Sequence, residues 1–251
     1  MLQLTMQRES WSWNSTRLPG QARVVRWGHF GTPVVLFPSA GGDCEEVERF
    51  HLVAALHELI DAGRIKVFSV DGIAARTWLR GTSSPEECAR VQAAFDAFID
   101  AELVPLIRRD CQNDTLELIA AGAALGAYNA VAALCRLPSV FRVAVGLSGV
   151  YDLSKYLTSG FAPVLTPVSP LHSVAALGQA GSDVRADALR KRFVLLASGE
   201  GDYETPAESQ RMAAALDAGR FGNRLELWGS NFSHGWNTWR EMLPRYLGAH
   251  A

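Results

Sequence analysis

The stretch LELIAAGAALGAYNAVAALC, residues 116–135, restricts the fold more than any other part of this sequence. An apolar run, Leu116–Ala121, leads into Gly122-Ala123-Ala124-Leu125-Gly126. An Ala-rich pattern of helical character, Leu125–Leu137, follows. The uncharged part, 118–135, is nearly long enough to cross a bilayer, but its glycines, Tyr128 and Asn129 break it up. It reads as a buried strand, a tight small-residue turn and a helix. A strand that feeds directly into a helix is the basic unit of a parallel α/β sheet.

The remainder of the chain repeats that unit. Strand-like runs are expected at Leu2–Trp13, Arg23–His29, Val34–Pro38, Ile65–Val70, Leu116–Ala121, Val143–Leu147, Phe193–Ala197 and Leu225–Trp228. VVLF, VAVGL and FVLLA are continuously apolar, as suits central strands covered on both faces, whereas the first two runs alternate and suit an antiparallel edge. Helical patterns fall between them at Cys44–Asp61, Pro85–Arg109, Pro206–Ala218 and Trp236–Leu247. SSPEE and Thr205 supply candidate N-caps. The expected fold class is α/β, with a mostly parallel central sheet of about eight strands and helices on both faces. No repeat or linker interrupts the 251 residues, 48% of them hydrophobic, so one domain is expected over 1–251. Residues 151–173 form the one long loop-like insertion, a lid or a pocket wall.

Charge and cysteine usage narrow the function classes. A net charge of −2 gives no basic field for nucleic acid or an anionic membrane. The N-terminus lacks a basic segment followed by an apolar one, so a cytoplasmic protein with no membrane partner is expected. Cys44, Cys88, Cys111 and Cys135 are widely spaced without His at metal spacing and read as reduced thiols. A homo-oligomer is compatible with this composition.

In open α/β sheets chemistry sits beyond the carboxyl ends of strands. Gly122–Gly126 has the outline of a nucleophile elbow, G-x-S-x-G, with Ala124 at the central position. The small flanking residues let strand and helix approach, and the amide of Leu125 is a candidate oxyanion donor. Phe37–Asp43 (FPSAGGD) is placed to offer a second amide, that of Ala40 or Gly41. Ser198–Glu204 (SGEGDYE) carries the candidate acid; Asp202 is the choice, with Glu200 and Glu204 as competitors. Of the six histidines only His234 follows the last strand and precedes the final helix, the place of a general base. The chain order 124, 202, 234 is that of nucleophile, acid and His in this arrangement.

With these residues in view, the chain resembles α/β-hydrolase serine esterases of the esterase D and feruloyl-esterase type, notably small bacterial esterases. The resemblance runs over residues 31–247. It is carried by VVLFPSAGGDCEEVERF, DAGRIKVFSVDG with RTWL, GAALGAYNAVAALCRLPSVF, VGLSGVYDL and WGSNFSHGWNTWREMLPRYL. It implies a carboxylic ester hydrolase using a Ser-Asp-His triad, with a small-molecule or oligomeric ester as substrate and without metal or organic cofactor. Position 124 would hold the nucleophile, Asp202 the acid and His234 the base. The chain departs from that pattern in having Ala124 where the resemblance places Ser, and a methyl group cannot attack a carbonyl. Tyr128, Ser148, Ser39 and Cys135 lie nearby, but none is at the elbow. An introduced Ser-to-Ala change that leaves an inactive variant is the favoured explanation; a natural pseudoenzyme acting as a binding module, or an acyltransferase, is the alternative. Ser39, Trp78, Tyr151, Phe161, Phe232 and Trp236 are candidates for the pocket lining.

Overall fold

The computed structural model describes residues 7–179 and 183–251. In chain order the elements are β1 (Arg8–Asn14), β2 (Gln21–Trp27), β3 (Thr32–Phe37), α1 (Glu46–Arg49), α2 (Leu52–Ala55), α3 (His57–Asp61), β4 (Ile65–Val70) and α4 (Ile73–Leu79). Next come α5 (Pro85–Phe98), α6 (Val104–Asp110), β5 (Leu118–Ala123), α7 (Leu125–Arg136), β6 (Phe141–Leu147) and α8 (Pro170–Gln179). The chain ends with α9 (Val184–Leu189), β7 (Phe193–Ser198), α10 (Pro206–Ala218), β8 (Gly222–Leu227) and α11 (Trp236–His250).

The strands form one sheet in the order β1-β2-β4-β3-β5-β6-β7-β8. The β1–β2 and β2–β4 pairs are antiparallel and the rest parallel, so the alternating N-terminal runs do form the antiparallel edge. Alternation along the strands explains why helices cover both faces. In β3, Val35 and Phe37 enter one core with Phe95 and Phe98 of α5, while Val34 and Leu36 enter the other with Met242 and Leu243 of α11. β7 divides its residues likewise, Val194 and Leu196 against Leu195 and Ala197. Burial of about 25 cal/mol for each Å² of apolar surface, on two faces at once, makes these central strands the most strongly stabilised part of the sheet.

Several boundaries differ from the sequence reading. Residues 2–6 of the Leu2–Trp13 run lie outside the described residues, and within them the strand begins at Arg8. The single helix expected over Cys44–Asp61 is three short pieces; the first break falls at His51, whose left-handed conformation (φ 61°) no α-helix accommodates, and the second at Leu56 (φ −94°, ψ 2°). The Pro85–Arg109 helix continues to Asp110 through a π-turn at Ile99–Leu103, and Ser84 caps it by accepting from the Glu87 amide at 3.1 Å. Thr205 precedes α10 but forms no side-chain cap. The 151–173 segment holds two 3₁₀ turns, Leu153–Tyr156 and Pro163–Leu165, and the start of α8. All four cysteines are free thiols. Among the described residues no helix is long and apolar enough to cross a membrane.

Candidate active site

At the end of β5 the chain turns through Ala124 into α7. Ala124 has φ 51° and ψ −116°, a conformation that L-residues rarely adopt and that costs on the order of 1–3 kcal/mol. Its neighbours hold it there. The Ala124 amide donates to the Leu147 carbonyl at 2.9 Å. The two flanking glycines are required by space: a Cβ on Gly122 would lie 2.4 Å from the Gly126 carbonyl carbon, and one on Gly126 would lie 2.5 Å from the Phe37 carbonyl oxygen. The elbow expected from GAALG is therefore formed, with β3, β5 and α7 in backbone contact.

His234 lies in the turn between β8 and α11. Its amide donates to the Asp202 carbonyl (2.9 Å) and its ring meets Trp239 edge-on at 5.1 Å. The carboxylate beside the imidazole belongs to Glu204: Oε2 lies 3.6 Å from Nδ1. The choice of Asp202 is thus corrected in favour of one of its competitors. Asp202 is exposed and contributes to the site through its backbone, whose amide donates to the Ser233 hydroxyl oxygen at 3.1 Å. Glu200 is likewise exposed. The reason lies in Tyr203, whose left-handed backbone (φ 61°) turns the chain so that residue 204 points inward.

Glu204 is only 1% exposed and well supplied with donors. Ser148 Oγ donates to Oε1 at 2.5 Å, Ser198 Oγ to Oε2 at 3.1 Å and the Gly199 amide to Oε1 at 3.3 Å. Trp239 Nε1 in turn donates to Ser148 Oγ at 3.0 Å. Burial pushes the Glu204 carboxyl up, but His234 and these hydroxyls outweigh it and hold the group below the usual carboxylate range. Ser148 was passed over in the sequence because it is not at the elbow. Its signal was its place directly after β6, level with the other strand ends.

The loop after β3 is arranged differently from expectation. The Leu125 amide donates to the Ser39 carbonyl at 2.9 Å, so it is not free for an oxyanion. Ser39 itself is tied to the buried Glu46, which accepts from its amide and its hydroxyl, both at 2.8 Å. Arg76 Nε donates to the Gly41 carbonyl at 2.7 Å. The Ala40 and Gly41 amides find no partner among the described residues.

Ala124, Leu125, Ser148 and His234 line one cavity of about 200 Å³. Lys155, Tyr156, Tyr203 and Thr205 also line it; Lys155 and Tyr156 come from the 151–173 segment expected to be a lid or pocket wall, while none of the four was singled out as a pocket residue. The expected lining residues lie elsewhere. Trp78 and Tyr151 are fully buried, Trp78 against Tyr128 and Tyr151 with its hydroxyl against Gly146 and Gly149. Phe232 packs edge-on against Trp228, Trp236 stacks on Phe50 at 4.6 Å, and Phe161 stacks on His172 at 4.0 Å. Burial pushes the Cys135 thiol up to about 12, so it stays protonated at neutral pH and is no substitute nucleophile. A larger groove, of about 700 Å³, lies between His29–Thr32 and Asp110–Asn113. It contains neither the elbow nor His234.

The strand order, the elbow after β5 and a His beyond the last strand define an α/β-hydrolase fold. Residues 32–250 match the family described as "Putative esterase", and the chain belongs to that family. No curated protein matches its sequence. Among solved structures it is similar to a ferulic acid esterase, with a TM-score of 0.72 at 15% identity, covering 97% of each chain. An S-formylglutathione hydrolase from Agrobacterium tumefaciens gives a TM-score of 0.71 at 14% identity, covering 98% of this chain and 97% of that one. MPT51 of Mycobacterium tuberculosis gives 0.65 at 19%, covering 97% of each. At such identities these structures establish the shared fold.

Proposed function

We propose that the cavity at residue 124 is a carboxylic-ester site of the serine-hydrolase kind, and that this chain is its nucleophile-lacking form. One observation carries the reading: a strained elbow and a His–carboxylate pair, His234 with Glu204 at 3.6 Å, meet at a single cavity. Strain of this sort clusters at functional positions. With serine at position 124, its Oγ would attack the ester carbonyl while His234 accepts the proton and returns it to the departing alcohol. Glu204 would orient the imidazole and stabilise its charged form. Water, activated by the same His234, would then release the acyl group as the acid. With Ala124 no covalent step is open, and loss of such a nucleophile typically lowers turnover about a millionfold. The assay is Ala124→Ser on short p-nitrophenyl esters with a fluorophosphonate probe. Hydrolysis and labelling by the Ser form alone support the reading; an inert, unlabelled Ser form sinks it.

A second reading, a binding module on the same scaffold, is favoured by the contact between the Leu125 amide and the Ser39 carbonyl. An introduced Ser-to-Ala change alone gives no reason for the amide of residue 125 to be occupied. A site long released from stabilising an oxyanion does.

A further inference from the structure

The wall of the ester cavity carries a lysine, Lys155, where ester hydrolysis as such asks for no charge. Among the residues that line it, Lys155 carries the one fixed charge, His234 and the phenols of Tyr156 and Tyr203 are the other titratable groups, and no carboxylate is among them. Glu204 sits behind the imidazole, 1% exposed. The hydroxyls of Ser148, Tyr156, Tyr203 and Thr205 complete the polar lining. Lys155 is held at the wall by the 3₁₀ turn Leu153–Tyr156, whose second amide, that of Ser154, donates to the Asp152 carboxylate at 3.0 Å. Its ammonium is not tightly engaged: Glu208 is 3.5 Å away, at the outer range of an ion pair, and the lysine side chain is 40% exposed. Glu208 has a second cation, Arg211, at 3.8 Å. When Lys155 turns toward a ligand, Glu208 keeps only the Arg211 contact, which Arg211 shares with Asp152 at 3.6 Å. The N-terminus of the twelve-residue α7 adds positive potential at the same cavity. At about 200 Å³ the space is below that of drug-sized sites, so the ligand is short.

We propose that this cavity selects a short ligand with two acid functions, a dicarboxylic half-ester or the parent diacid. The ester end lies at Ala124 and His234, and the distal carboxylate lies on Lys155. The proposal rests on reading the cavity as the ester site, and it deepens that reading by naming the substrate class. No bond is made or broken in the binding step, so it can be measured on the chain as it stands.

The experiment is an NMR titration of the unaltered protein with monomethyl glutarate and with methyl pentanoate, equal in length and differing in the distal charge. The half-ester is expected to bind about fivefold more tightly at low salt, the scale of one partly exposed ion pair. High salt should narrow the gap. Lys155→Met should bring the ratio close to one, and Lys155→Arg, which keeps the charge and guards against a folding defect, should preserve it. A ratio near one in the unaltered chain, a ratio that survives Lys155→Met, or no binding of either ligand overturns the proposal. The hydrolase reading fails separately. An inert Ala124→Ser form whose Ala124 parent still prefers the half-ester breaks that reading alone. A Ser form that hydrolyses methyl pentanoate and the half-ester equally well breaks the diacid proposal alone.

Discussion

The two corners of the cavity have been kept to different standards. At one, Glu204 accepts from Ser148, Ser198 and the Gly199 amide, faces His234, and is backed by Trp239 through Ser148. At the other, the elbow has its strained backbone but a methyl group at its apex, and the Leu125 amide is occupied by Ser39. The difference is one of physical role. A buried carboxylate must have its donors or it destabilises the fold, so that corner is maintained by stability whether or not it is used. A hydroxyl at the elbow tip and a free amide serve only the transition state, and nothing in folding requires them. The His234–Glu204 corner is thus held by the fold itself, whatever residue stands at position 124.

The largest test of that contrast is Ala124→Ser. If the Ser39 carbonyl gives way to substrate, kcat/KM on a p-nitrophenyl ester should rise toward a millionfold over the Ala form. If it stays on the Leu125 amide, the missing donor should hold the gain roughly a hundred- to a thousandfold lower. Steady-state kinetics separate the two cases, and adding His234→Ala should abolish whatever activity appears.

Next in size is Glu204→Leu, which strips three donors of their acceptor and is expected to lower stability by about 2–4 kcal/mol in urea unfolding. A loss below about 0.5 kcal/mol would mean that this corner is not structural, and the contrast would collapse. Gly126→Ala tests the elbow's geometry. Its Cβ would lie 2.5 Å from the Phe37 carbonyl oxygen, so a cost of about 1–3 kcal/mol is expected by the same measurement.

A smaller effect is the pH dependence of stability. The Glu204 carboxyl is held below its ordinary value of 4.5, so its contribution is complete above that pH. It is lost as the pH falls through the lowered folded value. The acid limb of a thermal-stability profile should be shallower in Glu204→Gln than in the unaltered chain. The smallest effect is Asp202→Asn: the side chain is exposed, and a change within about 0.5 kcal/mol is expected. In an Ala124→Ser background it should leave hydrolysis nearly intact, whereas Glu204→Gln should not.

Much of this was legible in the residues. Continuous apolar runs such as VVLF and FVLLA suit short strands buried on both faces, and both form such strands. GAALG announced a tight strand-to-helix turn, since a Cβ on Gly122 or Gly126 would come within 2.4–2.5 Å of backbone atoms there. His234 was identified by its position between the last strand and the last helix. Spacing along the chain was enough for these because each depends on local backbone geometry.

Three features depended on the tertiary structure. Glu200, Asp202 and Glu204 lie within five residues, and the choice among them follows from the left-handed turn at Tyr203 and from Ser148, 56 positions away. The occupied Leu125 amide depends on a carbonyl 86 residues earlier, delivered by the neighbouring strand β3. The aromatic residues expected in the pocket went into the core or stacked on one another; the 151–173 segment does reach the cavity, as expected of a wall, but through Lys155 and Tyr156, with Tyr203 beside them. Local sequence fixes which elements form and where along the chain the chemistry falls. The direction in which a side chain points, and what already occupies a donor, are settled by partners that only the folded chain brings within 3 Å or so of one another.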